Sequence, residues 1–289
     1  MLKSVLAALF VAVASAGAFS AGAMAQQFQF EAPPLFDNCG DPSLAKARTD
    51  GVTLGFSPSP PYSSLDPATK QAGGLDIELV EAALKWAGVT KFKYEVMPFG
   101  QLIPALLAKR IDIVSANIHV TPDRLKAVSF SGPAWWYGPA IVVAKGNPAG
   151  ITSFDTLKGK KVGAIAGSAA DEYLRKIGVA VTPFQTDAEE FAAISTGRVD
   201  AILDDDVKII EFMKANGSSP IEIVAGVAIP DELIFKYGYG YARYALRKDD
   251  CSLRSAFSQG LAEVRGNGLA TAVLKKYGLT NRNLFFFPL

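Results

Sequence analysis

From residue 51 onward the apolar positions fall into two alternating rhythms. Short aliphatic runs such as "GVTLGFS" (51–57), "IDIVSAN" (111–117) and "VDAILDD" (199–205) have the length and flanking turns of buried strands. Between them lie segments of helical period. In "LDIELVEAALKWAG" (75–88), Ile77, Val80 and Leu84 share one face and Gly88 ends the segment. "GQLIPALLAKR" (100–110) predicts a helix with Pro104 near its start, where proline is tolerated. The same rhythm resumes after a surface segment at 146–160. Strands "KVGAIAG", "VTPFQ", "VDAILDD" and "IEIVA" alternate with helices "SAADEYLRKIG", "DAEEFAAISTG" and "DVKIIEFMKANG". A further strand, "YGYGYARYALRK" (237–248), and two helices over 251–268 and 270–278 complete the pattern.

Strand–helix alternation implies α/β layers with largely parallel sheets, whose ligand sites lie at the carboxyl ends of strands. The two series match in size and design: "LLAKRIDIVSAN" parallels "AISTGRVDAILDD". Two lobes of one plan are expected, with a single continuous sheet as the alternative.

The first 50 residues read differently. Lys3, the apolar run from Val5 to Val13 and the small-x-small triplet Ala23-Met24-Ala25 predict a signal peptide over 1–25. Gly17, Ser20 and Gly22 interrupt that run too early for a membrane span, and no cysteine follows the cleavage point to carry a lipid. Residues 26–50 are polar and turn-rich, an N-terminal arm outside the core. Lys3 leaves with the signal, so 28 of the 29 basic residues face 28 acidic ones in an exported, periplasmic chain. That balance offers no electrostatic footprint for nucleic acid. Cys39 and Cys251 are the two cysteines. In an oxidising compartment an even count suggests a disulfide, with two buried free thiols as the alternative.

Enzyme signatures are missing. His119 is the one histidine, so a multi-histidine zinc site is impossible, and there is no GxSxG elbow, P-loop or GxGxxG after a strand. Asp204, Asp205 and Asp206 are adjacent, and neighbouring strand residues point to opposite faces, which disfavours a metal site. No cofactor is indicated. Polar clusters at strand ends remain. Strand 111–116 delivers Asn117 and His119, Thr121 caps a helix, Pro122 takes its first position, and Arg124 follows. A guanidinium beside free backbone N–H groups forms a two-point site for a carboxylate; an exposed arginine paired with Asp123 is the alternative. Asp205 ends a strand where a carboxylate either caps the next helix or holds an ammonium. The backbone amides of Ser168 and Ala169 open another helix, and Tyr62 and Phe99 lie in loops at the same end. Trp135, Trp136 and Tyr137 follow the first site, where a ring wall could pack a ligand's aliphatic part or a cation; for the Trp pair core or hinge packing is favoured.

These residues resemble the family 3 extracellular solute-binding proteins, the periplasmic amino-acid receptors of ABC importers. The carriers are "GGLDIELVEAAL", "FGQLIPALLAKRIDIVSANIHVTPDRLKAVSFSGP", "LKGKKVGAIAGSAADEYL" and "GRVDAILDDD". The resemblance implies an α/β, two-lobed periplasmic-binding-protein fold, each lobe a mostly parallel sheet flanked by helices, with a two-strand hinge. Lobe 1 would comprise 51–143 and 239–289, lobe 2 residues 144–238. It implies a monomeric, non-enzymatic receptor that closes on a small zwitterion and presents it to an inner-membrane permease. Arg124 would take the carboxylate, Asp205 the ammonium, and Asn117, His119, Ser168, Ala169, Tyr62 and Phe99 would line the pocket. His119 stands where many members carry serine, and Ala169 where they carry serine or threonine. A periplasmic enzyme on the same fold, of the cyclohexadienyl dehydratase kind, is the alternative.

Overall fold

The computed structural model describes residues 39–217 and 219–284. The expected signal peptide (1–25) and the start of the expected arm (26–38) lie outside them. Two five-stranded sheets organise the chain. The first holds β1 (Val52–Phe56), β4 (Phe92–Val96), β5 (Ile113–Val114), β6 (Ser129–Phe130) and β12 (Ala245–Leu246), in the order β4-β1-β5-β12-β6. The second holds β7 (Pro139–Ala144), β8 (Val162–Ile165), β9 (Val181–Phe184), β10 (Ala201–Asp205) and β11 (Ile221–Ile223), in the order β11-β7-β10-β8-β9. A small hairpin, β2 (Ser64–Leu65) with β3 (Ala72–Gly73), sits in the loop after β1. Each sheet has a parallel three-strand core, β4-β1-β5 or β10-β8-β9, extended by two antiparallel strands. Parallel neighbours require crossover connections, and the helical segments supply them.

Buried faces follow the apolar positions. Helix α2 (Leu75–Trp86) buries Leu75, Ile77, Leu79, Val80, Ala83 and Leu84, so its apolar face is wider than three positions. Against it lies α9 (Cys251–Gly266), where Gly260 lets the backbones meet: any Cβ there would collide with the Ala83 carbonyl oxygen. The expected arm is partly structured. Ser43–Asp50 forms a helix, α1, that buries Ala47 and anchors to α9 through Asp41, Ser43 and Ser252. Its polar composition hid it, because side-chain hydrogen bonds rather than an apolar stripe hold it.

Two expectations about the crossing change. The boundary drawn at 143 puts most of β7 in the first lobe, whereas its hydrogen bonds run to β10 and β11 in the second sheet. An aliphatic run reveals a strand but not which sheet receives it. The strand expected over 237–248 keeps ladder pairing only at Ala245–Leu246. Upstream, residues 240–244 run antiparallel to 131–137: Ser131 and Ala134 donate to the carbonyls of Tyr244 and Ala242, and Tyr137 to that of Gly240. Gly240 has φ of 118°, and a Cβ there would enter the Trp136 ring. These two strips link the sheets. Trp135, Tyr137 and Tyr244 are fully buried along them, as core or hinge packing requires.

Cys39 and Cys251 form a disulfide across 212 residues. Closing so long a loop removes entropy from the unfolded chain, and about 2–5 kcal/mol of stability should depend on it. Denaturant unfolding of Cys39→Ser/Cys251→Ser against the oxidised parent should show that loss; equal midpoints would make the bond dispensable.

Candidate functional site

The parallel strands of both sheets end at one place. There a cavity of about 60 Å³ opens, lined by Ser57 and Ser59 after β1, Asn117 and His119 after β5, Ser168 after β8, and Asp204 and Asp205 at the end of β10. Tyr62, Phe99, Gln185, Asp187, Lys208 and Tyr239 complete its polar and aromatic wall. Six of the expected site residues therefore meet: Tyr62, Phe99, Asn117, His119, Ser168 and Asp205. Ala169 does not line the cavity. It is the first residue of α5 (Ala169–Lys176) and its methyl is packed in the core, while Ala170 faces the opening.

Arg124 lies directly behind this wall. Thr121 accepts a hydrogen bond from its backbone N–H at the start of the short helix α4 (Pro122–Ala127). Its guanidinium is 6% exposed and packs over the Phe99 ring, 5.5 Å from the centroid. Nη1 donates to the His119 carbonyl (2.8 Å) and Nη2 to the Gly167 carbonyl (2.7 Å) of the other lobe. Glu172 stands 3.8 Å away. Asp123 instead pairs with Lys126, so the surface pairing set against the site role does not form.

The three adjacent acids have separate work. Asp206 accepts from the backbone N–H groups of Gly138 and Val207, fixing the start of α7 (Asp206–Ala215) against the hinge. Asp204 pairs with Lys208 (2.7 Å), whose Nζ also reaches Asp187 (3.0 Å). Asp205 accepts from Tyr239 Oη (2.6 Å) and, more weakly, from Asn117 Nδ2 (3.4 Å) of the first lobe. Burial and the neighbouring Asp204 raise its pKa to about 8, against the opposing pull of Lys208 and Tyr239. Close by, Glu190 is wholly buried with neither carboxylate oxygen accepting a bond. Burial and Asp204 push its pKa well up, so it holds its proton. Burial works against the Lys208 ammonium, but the Asp187 and Asp204 carboxylates outweigh it and keep it charged.

His119 is neutral. Burial, then Arg124, Arg243 and Lys208, carry its pKa well below the usual imidazole range. Nε2 meets Tyr137 Oη at 2.7 Å, and its ring lies 3.9 Å from that of Tyr239. Beneath them, Asp76 is fully buried and takes three donors: Trp135 Nε1 (2.8 Å), Tyr244 Oη (2.8 Å) and the Asn117 backbone N–H (3.1 Å). Burial lifts its pKa to about 6 despite those bonds. This carboxylate sets the position of Asn117 and thereby couples the cavity to the hinge.

Several of these residues were not singled out from the sequence. Asp76 looked like an ordinary first-turn helix acid, and the one available hint was its place inside an otherwise apolar face. Lys208 carried a readable signal, a cation in the first turn of a helix behind three acids. Tyr239 and Asp187 lie far from their partners along the chain and had none. Ser59 Oγ donates to Asp187 (2.6 Å), a further direct bond between the lobes.

The profile of the bacterial extracellular solute-binding proteins, family 3, matches residues 52–280, and the chain belongs to that family. It is 34% identical over 222 residues to the lysine/arginine/ornithine-binding periplasmic protein of Escherichia coli K12, covering 75% of this chain and 83% of that one. The histidine-binding periplasmic protein of Salmonella typhimurium LT2 is 29% identical over 232 residues, 78% of this chain and 86% of its own. Among solved structures, an ancestral arginine-binding protein bound to arginine superposes with a TM-score of 0.67 at 31% identity, covering 78% of this chain and 97% of that one. The fold is thus the two-lobed one, and the protein is a substrate-binding protein of that family.

Proposed function

We propose that this protein is a periplasmic receptor, exported by its signal peptide, that closes around an amino acid or amino-acid-like zwitterion and delivers it to an inner-membrane permease. Arg124 takes the carboxylate and Asp205 the ammonium, with His119, Asn117, Ser168, Tyr62 and Phe99 around the rest. The observation that carries this reading is the buried cavity between the sheets, with Asp205 in its wall and the Arg124 guanidinium behind it. Arg124 already reaches across the cleft to the Gly167 carbonyl. A carboxylate oxygen arriving there exchanges a neutral acceptor for a charged one, which makes the stronger bond.

The test is calorimetry on the mature chain with amino acids and cyclic zwitterions of the ectoine type; the expected result is one-to-one binding. The Asp205 carboxyl adds a pH signature. In the free protein it is protonated below about 8, whereas a bound ammonium requires the carboxylate. Binding near neutrality should therefore release close to one proton, seen as a dependence of the heat on buffer ionisation. Affinity should fall from pH 7 to pH 5 by up to about tenfold per unit, and Asp205→Asn should weaken binding and abolish the slope. An affinity flat across that range would remove Asp205 from the ammonium role.

A further inference from the structure

We propose that Tyr239, carried on the hinge strip, is a positioning residue for the ammonium site: its hydroxyl holds one oxygen of Asp205, favours the charged form of that carboxyl and leaves the other oxygen for the guest. This rests on the receptor reading above and adds a residue to its ammonium end.

Tyr239 is 3% exposed and lines the cavity. It belongs to the crossing strip rather than to a strand end, and it is anchored at three points. Its backbone N–H donates to the Leu233 carbonyl (3.2 Å). Next to it, Gly238 has φ of 64°, and a Cβ there would come within 3.1 Å of the Val120 backbone, so the strip runs tightly against the first lobe. The Tyr239 ring lies 3.9 Å from that of His119 and meets Tyr137 edge-on at 6.1 Å. Its hydroxyl then donates to Asp205 Oδ1 at 2.6 Å. Asp205 Oδ2 takes the longer Asn117 contact (3.4 Å) and is the less engaged oxygen, the one left for an ammonium.

An O–H that donates to a carboxylate stabilises the charged form more than the neutral acid. The other groups around Asp205 pull unevenly. Burial raises its pKa most and Asp204 adds to that; Lys208 and then the Tyr239 bond oppose them, Asp206 raises it further, and the outcome is about 8. Lys208 is already shared between Asp187 and Asp204, and Glu190 holds its own proton. Burial and the Asp205 charge keep Tyr62, Tyr137 and Tyr239 as neutral phenols, and His119 is neutral too. Of the two side-chain donors to Asp205, Tyr239 makes the shorter bond.

Tyr239→Phe keeps the ring and removes the hydroxyl. In the ligand-free mature chain, labelled with 13C at the aspartate carboxyls, Asp205→Asn identifies the Asp205 signal. Its titration midpoint should rise by about one pH unit in Tyr239→Phe, a tenfold change in the protonation equilibrium. The lone His119 imidazole should keep its resonances, showing that the ring stack survives. Calorimetry with L-glutamine, L-arginine and ectoine then reads binding. For a probe that binds, the parent should exceed the variant about tenfold at pH 6.5 and about twofold at pH 9, because high pH supplies the carboxylate without the hydroxyl. The ratio cancels the probe's own titration. An unmoved Asp205 midpoint, or a ratio level across pH, overturns this inference and leaves the receptor reading intact. Should Tyr239→Phe fail to fold, the parent carries the test: a tyrosine hydroxyl proton protected from exchange should shift as Asp205 ionises and lose that shift in Asp205→Asn, and its absence is equally fatal. Silence of the parent towards every probe overturns the receptor reading and this inference with it.

Discussion

Arg124→Ala should abolish measurable ligand binding, a loss of about 3–5 kcal/mol or two to four decades in affinity. The size follows from burial. The guanidinium is 6% exposed before any guest arrives, so its desolvation is already a cost of the fold rather than of binding. It is also aimed, by the His119 and Gly167 carbonyls and by the Phe99 ring. A guest carboxylate left without it would be buried beside Glu172 and the acids of the cavity. Arg124→Lys should recover only part of the loss, because an ammonium lacks the planar fork that matches two carboxylate oxygens. Calorimetry on both variants, with circular dichroism to confirm folding, measures the effect. Near-parental affinity in Arg124→Ala would move the carboxylate to another part of the cavity.

Asp76→Ala should cost about 3–6 kcal/mol of stability. It would leave the Trp135 indole N–H, the Tyr244 hydroxyl and the Asn117 backbone N–H without their acceptor, and each buried unsatisfied group costs about 1–3 kcal/mol. The three sites share one partner, so their costs will not sum simply. Asp76→Asn should be milder. Its amide oxygen can still accept from Trp135 and Tyr244, although its NH2 then faces the Asn117 N–H. A urea midpoint that drops sharply for alanine and less for asparagine, with unchanged slope, is the expected pattern. A loss below about 1 kcal/mol for alanine would mean that water enters and replaces the carboxylate.

What the sequence made legible was local. Strand ends, helix starts and the Thr121-Pro122 cap are fixed by residues within a few positions of one another, and they brought six expected residues to one cavity. What it concealed was long-range or shared. Asp205 could be seen as an acid at a strand end, but its partner Tyr239 comes from a hinge strip 34 residues later. Asp187, Asp204 and Lys208 are separately unremarkable, and their meaning lies in one ammonium serving two acids. Position 169 is subtler: the first residue of a helix can offer its backbone to a site while its side chain points into the core. The lobe boundary slipped because β7 is apolar enough for either sheet.

The covalent tie between residues 39 and 251 also constrains how the molecule matures. A chain delivered from its amino end presents one sulfur early and its mate only 212 residues later. During that interval no wrong intramolecular bridge can form, because the sequence contains no third thiol. A premature disulfide between protein thiols of this chain must join two copies, so crosslinked dimers become a signature of interrupted delivery.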